Sequence, residues 1–208
     1  MPAPLLLGIG AVATSNQLIR GFLLGVASSF FVFGLWYPFV LNGSHARALG
    51  GDAEGFTSEE LRKLDRKRWV VVDDVLFDGF NVDHVLIGPG RVYAVETKWR
   101  SGSVDRWQRE EMAKNAARSA DKVRSLLRAE KAPAAVEALV VVWGPGSHAL
   151  EGVVERIDGV RIVAGPAVKE WRPRLDKTAQ GMEINYPVID AIRRYVVRRD
   201  EYLVRHGR

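Results

Sequence analysis

The sequence predicts an α/β protein with a mixed central sheet and one N-terminal transmembrane helix, and three observations carry that prediction. No Asp or Glu precedes Asp52, and residues 21–41 carry no charge at all. Two runs of strand-forming residues, Val82–Ile87 and Arg91–Glu96, are joined by Gly88-Pro89-Gly90, a tight hairpin signal. An unbroken apolar run, Ala138–Trp143, follows a long amphipathic segment, and an apolar strand placed after a helix belongs in a sheet covered on both faces.

The N-terminal part is read first. Of the 21 residues in 21–41, 15 are apolar and the others are Gly, Ser or Pro. As a helix this stretch rises roughly 32 Å, about the hydrocarbon thickness of a bilayer. Trp36 and Tyr37 lie toward its C-terminal end, where amphipathic rings favour the headgroup level. Ala46-Arg47-Ala48 has the small-x-small form of a signal-peptide cleavage site, but the apolar run exceeds the roughly 7–15 residues of such a peptide. A buried soluble helix is the third reading. Residues 1–20 are then an N-terminal segment, 21–41 a single-pass anchor and 42–50 a Gly-rich linker. Residues 51–165 form the folded domain, and 166–208 a helical extension packed on it.

Within the domain, Leu61 and Leu64 fall at helical spacing among charged residues over 54–67, and Thr57 with Glu60 makes a capping-box pattern. Trp69–Val72 is a run of strand formers, and Phe77-Asp78-Gly79 a turn. The hairpin over 82–96 comes next. From Trp107 to Arg128 the positions Met112, Ala113, Ala116, Ala120, Val123 and Leu127 recur every three or four residues, which is a long amphipathic helix. The apolar strand 138–143 ends at Gly144-Pro145-Gly146, Val160–Val163 is a short strand, and a basic helix begins near Val188.

Composition narrows the chemistry. The chain has no cysteine, so disulfides, thiolate metal sites and cysteine nucleophiles are excluded. A net charge of +5 is a weak field, and a polyanionic partner would depend on local clusters of Lys and Arg. The most basic stretch is C-terminal, with Arg193, Arg194, Arg198, Arg199, Arg205 and Arg208. It fits nucleic acid, anionic headgroups or a solvated helix face equally well.

The hairpin holds the candidate site. Residues two apart on a strand share a face, so Glu96 and Lys98 project together, and antiparallel pairing brings Asp83 toward them. Two carboxylates beside strongly apolar runs are costly to bury without a cation. Mg²⁺, with Mn²⁺ as a substitute, is a hard ion that takes carboxylate oxygen and serves phosphoryl substrates. Held by Asp83 and Glu96, it would lower the pKa of a bound water, with Lys98 orienting that water or meeting the developing oxyanion. His84 should point to the opposite face, in a core or capping role.

Asp83, about a dozen residues and then Glu96-Thr97-Lys98 resembles the PD-(D/E)xK nuclease superfamily, and the wider sequence resembles its nuclease-related domain (NERD) family. The matching segments are Gly51–Glu54, Asn81–Gly90 and Val92–Lys98. The resemblance implies a restriction-endonuclease-like αβββαβ core. It implies Glu54, Asp83, Glu96 and Lys98 as catalytic residues, with Asp83 and Glu96 as the metal ligands. It also leads one to expect a Gln on the helix after the lysine strand, for which Gln108 and Asn115 are the candidates. Trp99 and Arg100 are candidate nucleic-acid contacts, by base stacking and phosphate binding. The expected protein is a membrane-anchored, metal-dependent nuclease with its domain in the cytoplasm, acting on DNA ahead of RNA. A catalytically silent nucleic-acid-binding or scaffold module is the alternative.

Overall fold

A computed structural model describes residues 17–41, 44–150, 155–178 and 182–205; the side chains of 18, 20 and 35–48 lie outside the description. The chain divides into two compact units, 1–49 and 50–208.

The first unit contains α1, Gln17–Leu41, so the apolar stretch is helical as expected. Its described apolar side chains are open, with Phe22 70 % and Phe31 64 % exposed. Among the described residues no helix is long and apolar enough to cross a membrane. Side chains of α1 are described only as far as Gly34, so part of the expected 21–41 span lies outside the described ones. The spanning role is not supported by the structure.

Helix α2, Ser44–Arg62, corrects the linker expected over 42–50: apart from residues 42 and 43, which are not described, that segment is helical. Ala46, Ala48 and Leu49 favour helix strongly enough to offset Gly50, Gly51 and Gly55. The expected capping box is corrected with it. Thr57 lies inside the helix, and its hydroxyl donates back to the Ala53 carbonyl at 3.1 Å.

The second unit is built on one mixed six-stranded sheet in the order β1-β2-β3-β4-β6-β5. Its strands are β1 Val70–Phe77, β2 Phe80–Gly88, β3 Arg91–Trp99, β4 Val136–Trp143, β5 Glu155–Ile157 and β6 Val160–Ala164. β1, β2 and β3 form an antiparallel meander, while β3–β4 and β4–β6 pair in parallel. The Pro89-Gly90 turn has Gly90 at φ 67°, a conformation open to glycine at no steric cost. Helix α3, Arg106–Ala129, supplies the crossover between the parallel strands β3 and β4. The expected α, three strands, α, β order is therefore observed.

Alternation on the strands sorts two cores. Val85, Ile87, Val92, Ala94, Val140 and Val142 face α3 and helix α5, Tyr186–Arg205, which contributes Val188, Ile189 and Ile192. Leu86, Tyr93, Val95, Leu139 and Val141 face α2 and helix α4, Val168–Thr178, through Leu61, Trp171 and Leu175. This double coverage is why β4 reads as an uninterrupted apolar run. β5 is not expected from the sequence, and α4 falls within the helical extension expected over 166–208 without being singled out there.

Candidate active site

Pairing between β2 and β3 runs from Gly88↔Arg91 to His84↔Val95 and goes no further. One residue on, the Asp83 side chain takes over: its Oδ2 accepts the Thr97 backbone N–H at 2.7 Å. β3 nevertheless continues along β4 through Glu96↔Val140 and Lys98↔Val142. The two strands thus part at Asp83 and Glu96, and that opening is the site.

Glu96 is 9 % exposed. One of its oxygens meets Lys98 Nζ at 2.6 Å, and the other accepts from Ser119 Oγ of α3 at 3.2 Å. Burial and the nearby negative charge of Glu96 push the Asp83 carboxyl up to about 6, against the lowering effects of the Thr97 N–H and of Lys98. Glu54 reaches the same field from α2. Its carboxyl is raised by burial first, then by Asp74, with Lys98 opposing and Glu96 adding to the rise. Glu54, Asp83, Glu96 and Lys98 are therefore brought into one electrostatic neighbourhood. The arrangement is not a three-carboxylate cage, however: among the described residues no group of three or more His, Cys, Asp or Glu is gathered to hold a metal ion.

The opposite face of the same strands carries a closed network. His84 is 3 % exposed; its Nδ1 lies 2.8 Å from Asp73 Oδ1 and its Nε2 3.4 Å from Thr97 Oγ1. Thr97 Oγ1 donates to Thr57 Oγ1 at 2.9 Å, which also accepts the Trp143 indole N–H at 2.8 Å. Burial pushes the Asp73 carboxyl up, but hydrogen bonds from His84, Arg62 and Ser58 outweigh it and hold the group below its usual range. The core role expected for His84 is what the structure shows.

Trp99 and Arg100 are half-buried. Trp99 packs where a Cβ on Gly144 would approach its ring to 2.9 Å, and the Arg100 carbonyl accepts from Gly146 N at 2.9 Å. The Trp99 indole N–H and Arg100 Nε–H are buried with no hydrogen-bond partner among the described residues. The C-terminal arginines are partly engaged in structure: Arg194 and Arg198 meet Glu130, and Arg199 meets Asp78 at 2.8 Å.

Two residues near the site were missed. Ser119, not Gln108 or Asn115, bonds Glu96. Gln108 is occupied in the capping box with Asp105 at the start of α3, and the Asn115 carbonyl accepts from Ser119 Oγ at 3.3 Å. Ser119 falls one helical turn after Asn115, so helical spacing alone could have nominated it. Asp74, at φ 52°, interrupts β1 beside the site, and no strand pattern announces that.

Residues 49–143 match the family model of the nuclease-related domain, NERD. The match covers α2 from Leu49 and runs through β4, so it includes the strand opening with Glu54, Asp83, Glu96 and Lys98. Strands β5 and β6 and helices α4 and α5 lie beyond the NERD match, although both helices bury side chains in the cores of the same unit. No curated protein and no solved structure matches the chain.

Proposed function

We propose that the nuclease-related domain is a divalent-metal-dependent phosphodiesterase acting on nucleic acid, DNA ahead of RNA, with Glu54, Asp83, Glu96 and Lys98 as its catalytic groups. The observation that carries this reading is the opening of β2 from β3, where two carboxylates and an ammonium converge in place of ladder hydrogen bonds. The donor set fits a hard cation: burial, with the charge of Glu96 added to it, raises Asp83, and Mg²⁺ needs only one or two carboxylates because it keeps its own waters. Asp83 and Glu96 would hold Mg²⁺ or Mn²⁺, which supplies when bound a water of lowered pKa and a counter-charge for the phosphate.

The chain's own groups do the rest. Lys98, fixed by Glu96 at 2.6 Å, sets a positive charge beside the scissile phosphate, where added negative charge develops. Ser119 holds the second Glu96 oxygen and so orients the carboxylate. Glu54, its carboxyl raised by burial and by Asp74, adds a third carboxylate facing the site. Trp99 and Arg100 extend β3 past the lysine, and their two unpartnered buried N–H groups suit a base and a phosphate arriving there.

The purified protein should cleave nucleic acid with Mg²⁺ and stop with chelator. Lys98→Ala and Asp83→Ala should each cost on the order of 10²–10³-fold in rate. Cleavage that survives both substitutions ends this reading; salt-sensitive binding without cleavage would favour the silent recognition module instead.

We further propose that residues 21–41 anchor the chain in a bilayer with the domain on the cytoplasmic side, a reading that rests on the sequence alone, where 21 consecutive uncharged residues match the length of a span. Alkaline carbonate should then leave the full chain in the membrane pellet and release it once 21–41 are deleted. Release of the intact chain would remove the anchor.

A further inference from the structure

At the far side of the sheet from the strand opening, the hairpin of β5 and β6 places Arg156 directly across from Arg161. Like charges at a cross-strand pair are destabilising, so a fold that keeps them needs compensation. Arg161 has some: Glu137 at 2.8 Å, and the face of Tyr93, 5.6 Å from its guanidinium carbon. Glu137, however, is shared with Arg91 at 2.6 Å, and Arg161 Nε is buried with no hydrogen-bond partner among the described residues. Arg156 and a third arginine, Arg174 of α4, are exposed and make no ion pair among the described residues. Of the acids in its helix, Glu170 makes no ion pair among the described residues, and Asp176 accepts the Trp69 indole N–H at 2.7 Å.

The three arginines rim one cleft of about 490 Å³ whose floor includes Leu139, Val163 and Trp171. That size falls within the roughly 300–1,000 Å³ usual for small-ligand sites. Among the described residues its charged lining is of one sign only. Guanidinium forks bind phosphate oxygens in pairs and stack on flat rings; the floor side chains are themselves almost fully buried, so the exposed planes of Arg156 and Arg174 are what a flat ring would meet. We propose that this cleft binds a nucleotide 5′-phosphate: the phosphomonoester between Arg156, Arg161 and Arg174, the base stacked on an exposed guanidinium plane. It is separate from the acidic opening and does not depend on the hydrolytic reading.

The test uses the full chain in chelator, which silences metal-dependent cleavage. A short single-stranded oligodeoxynucleotide bearing a 5′-phosphate is compared by fluorescence anisotropy with its 5′-hydroxyl twin, and adenosine 5′-monophosphate and succinate serve as competitors. The phosphorylated strand should bind about tenfold tighter or better, and R156Q/R174Q should abolish that preference while leaving 5′-hydroxyl binding in place. Competition by the free nucleotide at the concentration effective for the phosphorylated strand would identify a free nucleotide as the source. A much weaker free nucleotide would identify a strand end. Should the glutamine pair fail to fold, R156K/R174K keeps the charge but loses the forks, and should reduce the preference several-fold. Equal affinity for both strands, succinate competing as well as the nucleotide, or a preference unchanged in the folded variants would overturn the proposal.

Discussion

The two faces of β2 and β3 at the strand opening differ more than any two distant regions of the domain. On one, Asp73, His84, Thr97, Thr57 and Trp143 are linked in an unbroken run of hydrogen bonds. On the other, Asp83 and Glu96 face one another, with the Thr97 N–H compensating Asp83 and Lys98 compensating Glu96. Asp83 and His84 are sequence neighbours, as are Glu96 and Thr97, and only strand alternation separates them. A satisfied buried network rigidifies a fold, whereas charges held in mutual opposition stabilise nothing until a ligand arrives. The contrast teaches that the first face is there for the structure and the second for the chemistry.

The largest expected separation is between activity and stability. Lys98→Ala should cost the 10²–10³-fold in cleavage given above while moving the melting temperature little with Mg²⁺ present, where the bound cation would compensate the buried Glu96 in place of the lost ammonium. His84→Ala should do the reverse. Removing that buried ring leaves Asp73 Oδ1 without its partner and opens a cavity, at about 2–4 kcal/mol. For a domain of this size that lowers the melting temperature by roughly 5–15 °C, with cleavage by the remaining folded protein largely retained. A stable but inactive His84→Ala protein would invert the assignment of the faces.

How much of this contrast was readable beforehand follows from its physics. Period-two alternation with β-branched residues marks β2 and β3, and with it the shared face of Glu96 and Lys98, because the signal is local. The same logic put His84 on the far side. Neither Ser119 nor Asp74 shows in a strand period: Ser119 enters the site because α3 crosses over the sheet, and Asp74 because it drops out of the β1–β2 pairing at a positive φ. Strand β5 has three residues, too few for a period, and α4 carries Pro173 inside it, which argues against helix in any sequence reading. Helix α2 was begun some ten residues late because Gly50, Gly51 and Gly55 read as a breaker cluster, while the alanines and leucine around Arg47 outweighed them.

The next effect sharpens the comparison through pH. Asp83 rises from 3.8 to about 6 on folding, so the folded state holds that proton more tightly than the unfolded chain. Below the unfolded value both states are protonated and Asp83 costs nothing. As pH rises toward 6 the unfolded chain ionises first, stability falls, and above 6 the whole penalty is present, on the order of 2–3 kcal/mol. Metal-free protein should therefore lose stability to urea between pH 4 and 7, and Asp83→Asn, which keeps an acceptor for the Thr97 N–H, should flatten that slope. Mg²⁺ should restore stability to the wild type above pH 6 and leave the Asn variant unaffected. Asp73 runs the other way: its lowered carboxyl stabilises the fold at neutral pH and loses that contribution only in acid. A slope unchanged by Asp83→Asn would mean that the acidic face is no more opposed than the satisfied one.

The smallest effect tests whether the acidic face is positioned or merely assembled. Ser119 touches Glu96 through one hydrogen bond of 3.2 Å and is fully buried, so Ser119→Ala removes a hydroxyl without opening a void of any size. The net loss of one such bond is about 1 kcal/mol, somewhat more because the acceptor is a carboxylate. If Ser119 only fills space, stability falls by that amount and cleavage is unchanged. If it fixes the carboxylate rotamer, the Mg²⁺ concentration giving half-maximal cleavage should rise several-fold while the rate at saturating Mg²⁺ recovers, since supporting partners of metal ligands act mainly on affinity. Ser119→Thr, which keeps the donor on a β-branched side chain that helices tolerate, should restore the metal requirement. Failure of that rescue, with a normal melting temperature, would leave Glu96 oriented by Lys98 alone.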